Sequence, residues 1–64
     1  MRHYRLFIFD RFGRTVEEMR DLRAVDDTAA VLLVNGWRQA RKAELWDGGR
    51  QVRSWGPGAA LFDG

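Results

Sequence analysis

The residues that could take part in catalysis or metal binding are few and scattered. His3 could act as a general base, but no acid or nucleophile stands at an informative spacing from it. Asp26 and Asp27 could suggest a metal site, although a helix N-cap explains both carboxylates. Ser54 lacks the glycine-flanked turn that exposes a nucleophilic serine. We therefore expect no enzyme activity, no metal ion, no cofactor and no small-molecule substrate.

A glycine-rich stretch, Asp47-Gly48-Gly49, superficially resembles a phosphate-binding loop. It lacks the lysine and the following helix that such loops use. Two short runs of alternating apolar and polar residues flank it within Ala43 to Trp55, which is typical of a β-hairpin. The stretch therefore predicts a turn between a third and a fourth strand.

Placing Gly48 and Gly49 in that turn also predicts which residues lie opposite each other. Leu45 then faces Val52, and Glu44 faces Arg53 in a favourable cross-strand charge pair.

Length and composition limit the class of protein. A chain of 64 residues forms one domain at most and buries only about 60% of the surface that its unfolded form exposes. It contains no cysteine and one histidine, so neither disulfides nor a zinc site would stabilise it, which leaves self-association. The net charge of +2 does not by itself indicate nucleic-acid binding. Because neither a transmembrane segment nor a signal peptide is evident, we expect a cytoplasmic protein without membrane contact.

The residues from Asp26 to Ala40 predict an amphipathic helix. Acidic residues suit its start, and a hairpin at Asn35-Gly36 is the competing interpretation. Val31 lies off the apolar stripe, so we expect it to be exposed. At about 100° per residue, the predicted core stripe is Ala29, Ala30, Leu33, Trp37 and Ala40, and the predicted polar side is Asn35, Arg38, Gln39 and Lys42.

The residues before this helix predict two strands. His3 to Asp10 is rich in aromatic and β-branched residues with both faces apolar, which indicates a central strand, and Gly13 suits the turn that follows it. Thr15 to Ala24 is ambiguous, because Thr15 and Glu18 match a helix capping box. The short turn favours a strand that returns as a hairpin.

Together these elements predict an α+β fold in ββαββ order, with a small antiparallel sheet and one helix packed on one face. Residues 1–55 would form the single domain, and residues 56–64 a flexible C-terminal tail. One helix covers only one side of a four-stranded sheet, where Tyr4, Leu6, Ile8, Leu45 and Val52 would meet Leu33 and Trp37.

The other side of the predicted sheet is rich in aromatic residues and arginines: Arg5, Phe7, Phe9, Trp46, Gln51, Arg53 and Trp55. Such a surface is too apolar to face water without consequence. We favour a protein-interaction surface, with homodimer formation as the expected use. The alternatives are a platform for single-stranded nucleic acid, which stacks on aromatic side chains, and a surface covered by Leu61 and Phe62 of the tail.

The chain resembles a loose group of short bacterial proteins of similar length for which no function is known. The matching residues are Tyr4, Arg5, Leu6, Asp10, Gly13, Asp26, Asp27, Ala29, Ala30, Glu44, Leu45, Trp46, Gly48 and Arg50. The resemblance supports a strand at Thr15 to Ala24 and implies no activity. Similar chains carry charged residues on the outer side of the helix, where this chain has Val31, Leu32 and Val34, which favours a second apolar contact surface.

Overall fold

The sheet has four antiparallel strands, and one helix packs on it. The computed structural model describes residues 1–56. Its elements, in chain order, are β1 (Arg2–Phe9), β2 (Val16–Ala24), α1 (Asp27–Trp37), β3 (Ala43–Asp47) and β4 (Arg50–Trp55). The strand order across the sheet is β2-β1-β3-β4, which confirms the predicted ββαββ fold. The predicted tail, apart from Gly56, lies outside the described residues.

Strand β1 is central, and its side chains alternate between the two sides of the sheet. Tyr4, Leu6 and Ile8 are buried in the core beneath the helix, as predicted. The core is completed by small and apolar side chains from every other element: Leu22, Ala24, Ala30, Val34, Ala43, Leu45 and Trp55. In the part of the chain that the structure describes, no helix has the length and apolar character needed to cross a membrane.

The ambiguous segment after β1 is a strand, because a tight turn returns the chain along β1. The carboxylate of Asp10 accepts hydrogen bonds from the backbone N–H groups of Phe12 and Arg14, at 3.0 and 3.1 Å. Gly13 has φ +70, which side-chain-bearing residues rarely adopt. Glu18 does not close a capping box, since its carboxylate accepts from Nε of Arg20 at 2.7 Å.

The helix begins where the sequence indicates and ends earlier. Asp26 is the N-cap, and its side chain accepts from the backbone N–H of Ala29 at 2.9 Å. The helix continues through Asn35-Gly36, so the competing hairpin does not form. It ends at Trp37, short of the predicted Ala40, because Gln39 and Ala40 adopt left-handed φ angles of 53 and 62.

The face that the helix turns to the sheet differs from the prediction. Ala30 and Val34 are fully buried and Val31 packs on the core, whereas Leu33 and Trp37 are 42% and 38% exposed. The physical reason is Asp27, whose carboxylate accepts from the hydroxyl of Tyr4 at 2.7 Å and so directs that side of the first turn towards the sheet. The residues one and two turns later on the same side, Ala30, Val31 and Val34, then face inward.

Arg38 is a second correction on the helix, because it was assigned to the polar side and is only 1% exposed. Its Nη1 donates to the backbone carbonyls of Arg41 and Gly56, at 2.5 and 3.2 Å. Its guanidinium also lies over the ring of Trp55, 5.7 Å from the centroid. The side chain thus ties the end of the helix to the end of β4.

The β3–β4 hairpin forms at the predicted turn, but its register differs. Leu45 lies opposite Arg53 and Glu44 opposite Ser54, because Val52 is an extra residue in a β-bulge. The predicted pairs of Leu45 with Val52 and Glu44 with Arg53 are therefore wrong. An extra residue reverses the alternation of the residues that follow it.

Candidate interaction surface

The side of the sheet opposite the helix has no covering element among residues 1–56. We call it the uncovered sheet face. The registers of the sheet and the position of Lys42 over Phe9 place these residues on it: His3, Arg5, Phe7, Phe9, Val16, Met19, Asp21, Arg23, Lys42, Glu44, Trp46, Gln51 and Ser54. Its middle forms a groove of ≈ 760 Å³ with Phe7, Phe9 and Trp46 among its lining residues.

An apolar strip on β1 and β2 lies at the centre of this face, and Trp46 of β3 lies diagonally from Phe7, because Glu44 is the residue opposite Phe7. Phe7 and Phe9 of β1 are half-buried, as is Trp46 of β3. On the β2 side, Met19 lies opposite Phe7 and Val16 lies opposite Phe9. Met19 and Val16 are 58% and 44% exposed, so the β2 side of the strip is open to solvent. Contiguous apolar surface of this kind marks interaction sites more often than isolated exposed residues do.

Charges of both signs surround the apolar strip. Nε of Arg5 donates to the Asp21 carboxylate across the β1–β2 pair at 3.0 Å, and the Trp46 indole N–H donates to the Glu44 carboxylate at 3.2 Å. Nζ of Lys42 is 4.5 Å from the centroid of the Phe9 ring, a cation–π contact. The face therefore presents acids and bases side by side rather than a field of one sign.

The structure places only part of the predicted surface together. Arg5, Phe7, Phe9, Trp46 and Gln51 lie on the uncovered sheet face. Two residues that were assigned to that face lie on the helix side.

Arg53 and Trp55 are the two corrected residues. Trp55 is 4% exposed within the core, and its indole N–H donates to the side-chain oxygen of Asn35 at 2.9 Å. Arg53 lies opposite the core residue Leu45, and its guanidinium is 5.5 Å from the centre of the Trp55 ring. The bulge at Val52 is the cause, since it reverses which residues of β4 face the helix.

Sequence reasoning also missed residues that belong to the face. Val16 and Met19 were assigned to a strand but not to either side of it. The signal was present, because an antiparallel hairpin turning at Gly13 places residues of the second strand opposite Phe7 and Phe9 on the same side. Lys42 was missed because it was assigned to the helix.

A separate polar network lies at the other end of the sheet, beside the start of the helix. The Asp27 carboxylate accepts from the Tyr4 hydroxyl at 2.7 Å and from both terminal nitrogens of Arg50 at 3.0 and 3.1 Å. Arg50 and Arg2 each donate to Asp47, at 3.0 and 2.9 Å. The network links the helix to β1 and to the β3–β4 turn, which is a structural role.

This network shifts the pKa values of its members. The hydrogen bond from Arg50, followed by that from Tyr4, lowers the pKa of Asp27 below its ordinary 3.8. Removal from water, followed by the hydrogen bond to Asp27, raises the pKa of Tyr4 above 10.0. Across residues 1–56, no three histidine, cysteine or acidic side chains are grouped so as to hold a metal ion.

Comparison with protein-family models, with curated proteins and with solved structures found no match to this chain. The resemblance to short bacterial proteins therefore stays a prediction.

Proposed function

We propose that the protein is a small interaction module that self-associates through the uncovered sheet face. The observation that carries the proposal is the apolar strip in which Phe7 lies beside Met19 and Phe9 beside Val16, with Trp46 lining the same groove as both phenylalanines. Aromatic residues and methionine are enriched at the centres of protein interfaces. When a second surface covers such a strip, the free energy falls, because apolar surface is removed from water.

The charges on the face suit a second copy of the same chain. In a two-fold interface each patch meets itself, so a face with charges of one sign would repel its copy. This face pairs Arg5 with Asp21 and holds Lys42 near Glu44, so rotation of one copy can place acids against bases. Asp21 and Glu44 also offset much of the positive charge of Arg5, Arg23 and Lys42, which makes nucleic acid the weaker candidate.

The size of the face suits a small dimer interface. Four strands about 4.8 Å apart, with eight residues of about 3.3 Å each in β1, give a flat outline of about 19 by 26 Å, or about 500 Å². That area is smaller than the roughly 800 Å² per partner of a standard interface, so we expect association to depend on concentration. Covering it adds apolar burial that a 64-residue chain lacks on its own.

The proposal is tested by light scattering over a concentration series of the full chain. We expect a dimer for the wild type, and Phe9→Ala and Trp46→Ala should each weaken association by more than about 1 kcal/mol. Phe12→Ala is the matched control, because Phe12 is 74% exposed in the β1–β2 turn, outside the face. Far-ultraviolet circular dichroism should show that all three variants keep the fold.

Two results would contradict self-association through this face. One is a wild-type mass that stays monomeric at all concentrations. The other is a dimer that Phe9→Ala and Trp46→Ala leave unchanged. Titration with single-stranded DNA and RNA at two salt concentrations addresses the alternative function, because steeply salt-dependent binding by a monomer would favour a nucleic-acid platform.

A further inference from the structure

The pair Asn35-Gly36 lies in the last turn of α1 and carries a reactivity that the uncovered sheet face does not use. An asparagine that precedes glycine is prone to attack by the next backbone nitrogen, because glycine has no side chain to obstruct the approach. Asn35 and Gly36 are both exposed, and a Cβ built on Gly36 would meet nothing within 4 Å. Asn35 is also the only asparagine in the sequence. The reactive pair is therefore open to water and occurs at a single position.

We propose that Asn35 is a site of spontaneous deamidation, which the folded helix protects and which reacts when the last turn of the helix unwinds. In the reaction the backbone nitrogen of Gly36 forms a bond to Cγ of Asn35, and the bond from Cγ to Nδ2 breaks. The side-chain nitrogen leaves as ammonia, with the proton that the Gly36 nitrogen gives up. Water then opens the five-membered succinimide ring at either carbonyl, which yields aspartate or isoaspartate. Water is the only other reactant.

The folded structure opposes this reaction in three ways. Ring closure needs the Asn35 side chain and the Gly36 nitrogen nearly coplanar about the Cα–C bond, which the helical ψ of about −42° does not allow. Within a helix the Gly36 N–H donates to the carbonyl of Leu32, so the attacking nitrogen is engaged. The Trp55 indole N–H donates to Oδ1 of Asn35 at 2.9 Å and so holds the side chain towards β4.

The position of Asn35 near the end of the helix makes local opening sufficient for the reaction. The helix ends at Trp37, two residues further on. Helix ends fray, and they open at a lower free energy than the whole fold. The last turn is held by the backbone N–H of Arg38, which donates to the carbonyl of Val34 at 2.9 Å, and by the contact between Asn35 and Trp55. The rate of deamidation should therefore report how often this turn opens.

The two products should affect the fold differently. Aspartate keeps an oxygen that can accept from Trp55, and it stands three residues before Arg38 on the same side of the helix. Isoaspartate adds a carbon atom to the main chain, inside the ring that the hydrogen bond from Arg38 to Val34 closes. That hydrogen bond would be lost, and with it the position from which Arg38 donates to the carbonyl of Gly56 at 3.2 Å. Isoaspartate should therefore loosen the end of the helix from β4, whereas aspartate should not.

Mass spectrometry of the full chain, incubated in buffer and in urea, tests the proposal. The small mass increase from amide to carboxyl should appear slowly in buffer and faster in urea, and peptide mapping should find it at position 35. Trp55→Phe should raise the rate in buffer about fivefold, because a typical hydrogen bond contributes about 1 kcal/mol, a factor of about 5 in an equilibrium. Gly36→Ala should slow the reaction, and Asn35→Gln should abolish it, since glutamine would have to close a larger ring.

Tyr4→Phe is the matched control for Trp55→Phe. Each variant removes one hydrogen bond to the helix, but the hydroxyl of Tyr4 donates to Asp27, at the start of the helix. If the last turn opens locally, Tyr4→Phe should deamidate at the wild-type rate while losing stability. Arg38→Lys is a second variant that should accelerate the reaction, because it removes a planar guanidinium that contacts Trp55 at the same end of the helix. Circular dichroism shows which variants keep the fold.

Three results would overturn the proposal. The first is a wild type that deamidates as fast in buffer as in urea, or that shows no mass change in buffer in either the wild type or the folded variants. The second is a rate that Trp55→Phe and Arg38→Lys leave unchanged or reduce. The third is equal acceleration by Tyr4→Phe and Trp55→Phe, which would mean that the reaction needs the whole fold to open. None of these measurements depends on association through the uncovered sheet face.

Discussion

The Asp27 carboxylate joins the helix to two strands, and its contacts decide how the helix lies. Tyr4 and Arg50 both donate to it, from β1 and β4. These hydrogen bonds favour the charged carboxylate and lower its pKa below 3.8. A group with a depressed pKa in the folded state stabilises the fold above its unfolded pKa, and that contribution is lost as the pH falls through the folded value.

The first prediction concerns acid unfolding. We expect the urea midpoint of the wild type to fall as the pH drops below 3.8, with part of that fall due to Asp27. Asp27→Asn should lower the midpoint at neutral pH and reduce its fall in acid. Asp10→Asn is a useful comparison, because backbone hydrogen bonds, led by that from Arg14, also lower the pKa of Asp10. Equal acid dependence in wild type and Asp27→Asn would contradict this role.

The second prediction concerns the hydrogen bond between Trp55 and Asn35, which joins β4 to the helix at 2.9 Å. Trp55→Phe and Asn35→Ala should each destabilise the protein. In a double-mutant cycle the two changes should couple by about 1 kcal/mol, the net contribution of a typical hydrogen bond. Urea denaturation of the four proteins gives the coupling. Strict additivity would contradict a hydrogen bond between Trp55 and Asn35.

At the scale of elements, the sequence was sufficient wherever a local signal acts alone. The alternation in β1, the turn glycines at Gly13 and Gly48, and the N-cap at Asp26 depend on near neighbours in the chain. They predicted the ββαββ order of the elements along the chain and the start of the helix. Phe7, Phe9 and Trp46 could be assigned to one face for the same reason, because residues in strands alternate with a period of two.

Two features could not be predicted, because each depends on contacts between elements. The run from Val31 to Val34 is apolar in every direction, so periodicity could not fix the rotation of the helix, which follows instead from Asp27 and its partners. On β4, the bulge at Val52 inserts one residue and sends Arg53 and Trp55 to the helix side. No residue type in β4 predicts that bulge.

The third prediction compares two glycines that occupy different backbone conformations. Gly36→Ala should stabilise the protein by about 1 kcal/mol, since its Cβ has open space and alanine favours the helix. Gly13→Ala should destabilise it by a similar or larger amount, because φ is +70 there and the new Cβ would lie 3.2 Å from Cδ of Lys42. Thermal unfolding at low concentration measures both. If both substitutions changed the stability in the same direction, the helical role of Gly36 or the turn role of Gly13 would be wrong.

The described part of the molecule is a thin layer. Its extents along the three principal axes are 32 × 25 × 17 Å. A layer with one helix on one sheet buries one side of each element and leaves the other side in solvent. In most proteins of this architecture the outer sides would be polar. Here the outer side of the sheet carries Phe7, Phe9 and Trp46, and the outer side of the helix carries Leu32. The proposed self-association through the uncovered sheet face would cover the first of these sides.

The fourth prediction concerns which atoms change environment when the chains associate, and it tests the central claim most directly. A dilution series of two-dimensional ¹H–¹⁵N NMR spectra follows the Trp46 indole N–H and the backbone amides of Phe7, Phe9 and Phe12. We predict that the Trp46, Phe7 and Phe9 signals shift with concentration along one binding curve while Phe12 stays fixed. If the measured mass changes with concentration while the Trp46, Phe7 and Phe9 signals stay fixed, association through the uncovered sheet face is contradicted.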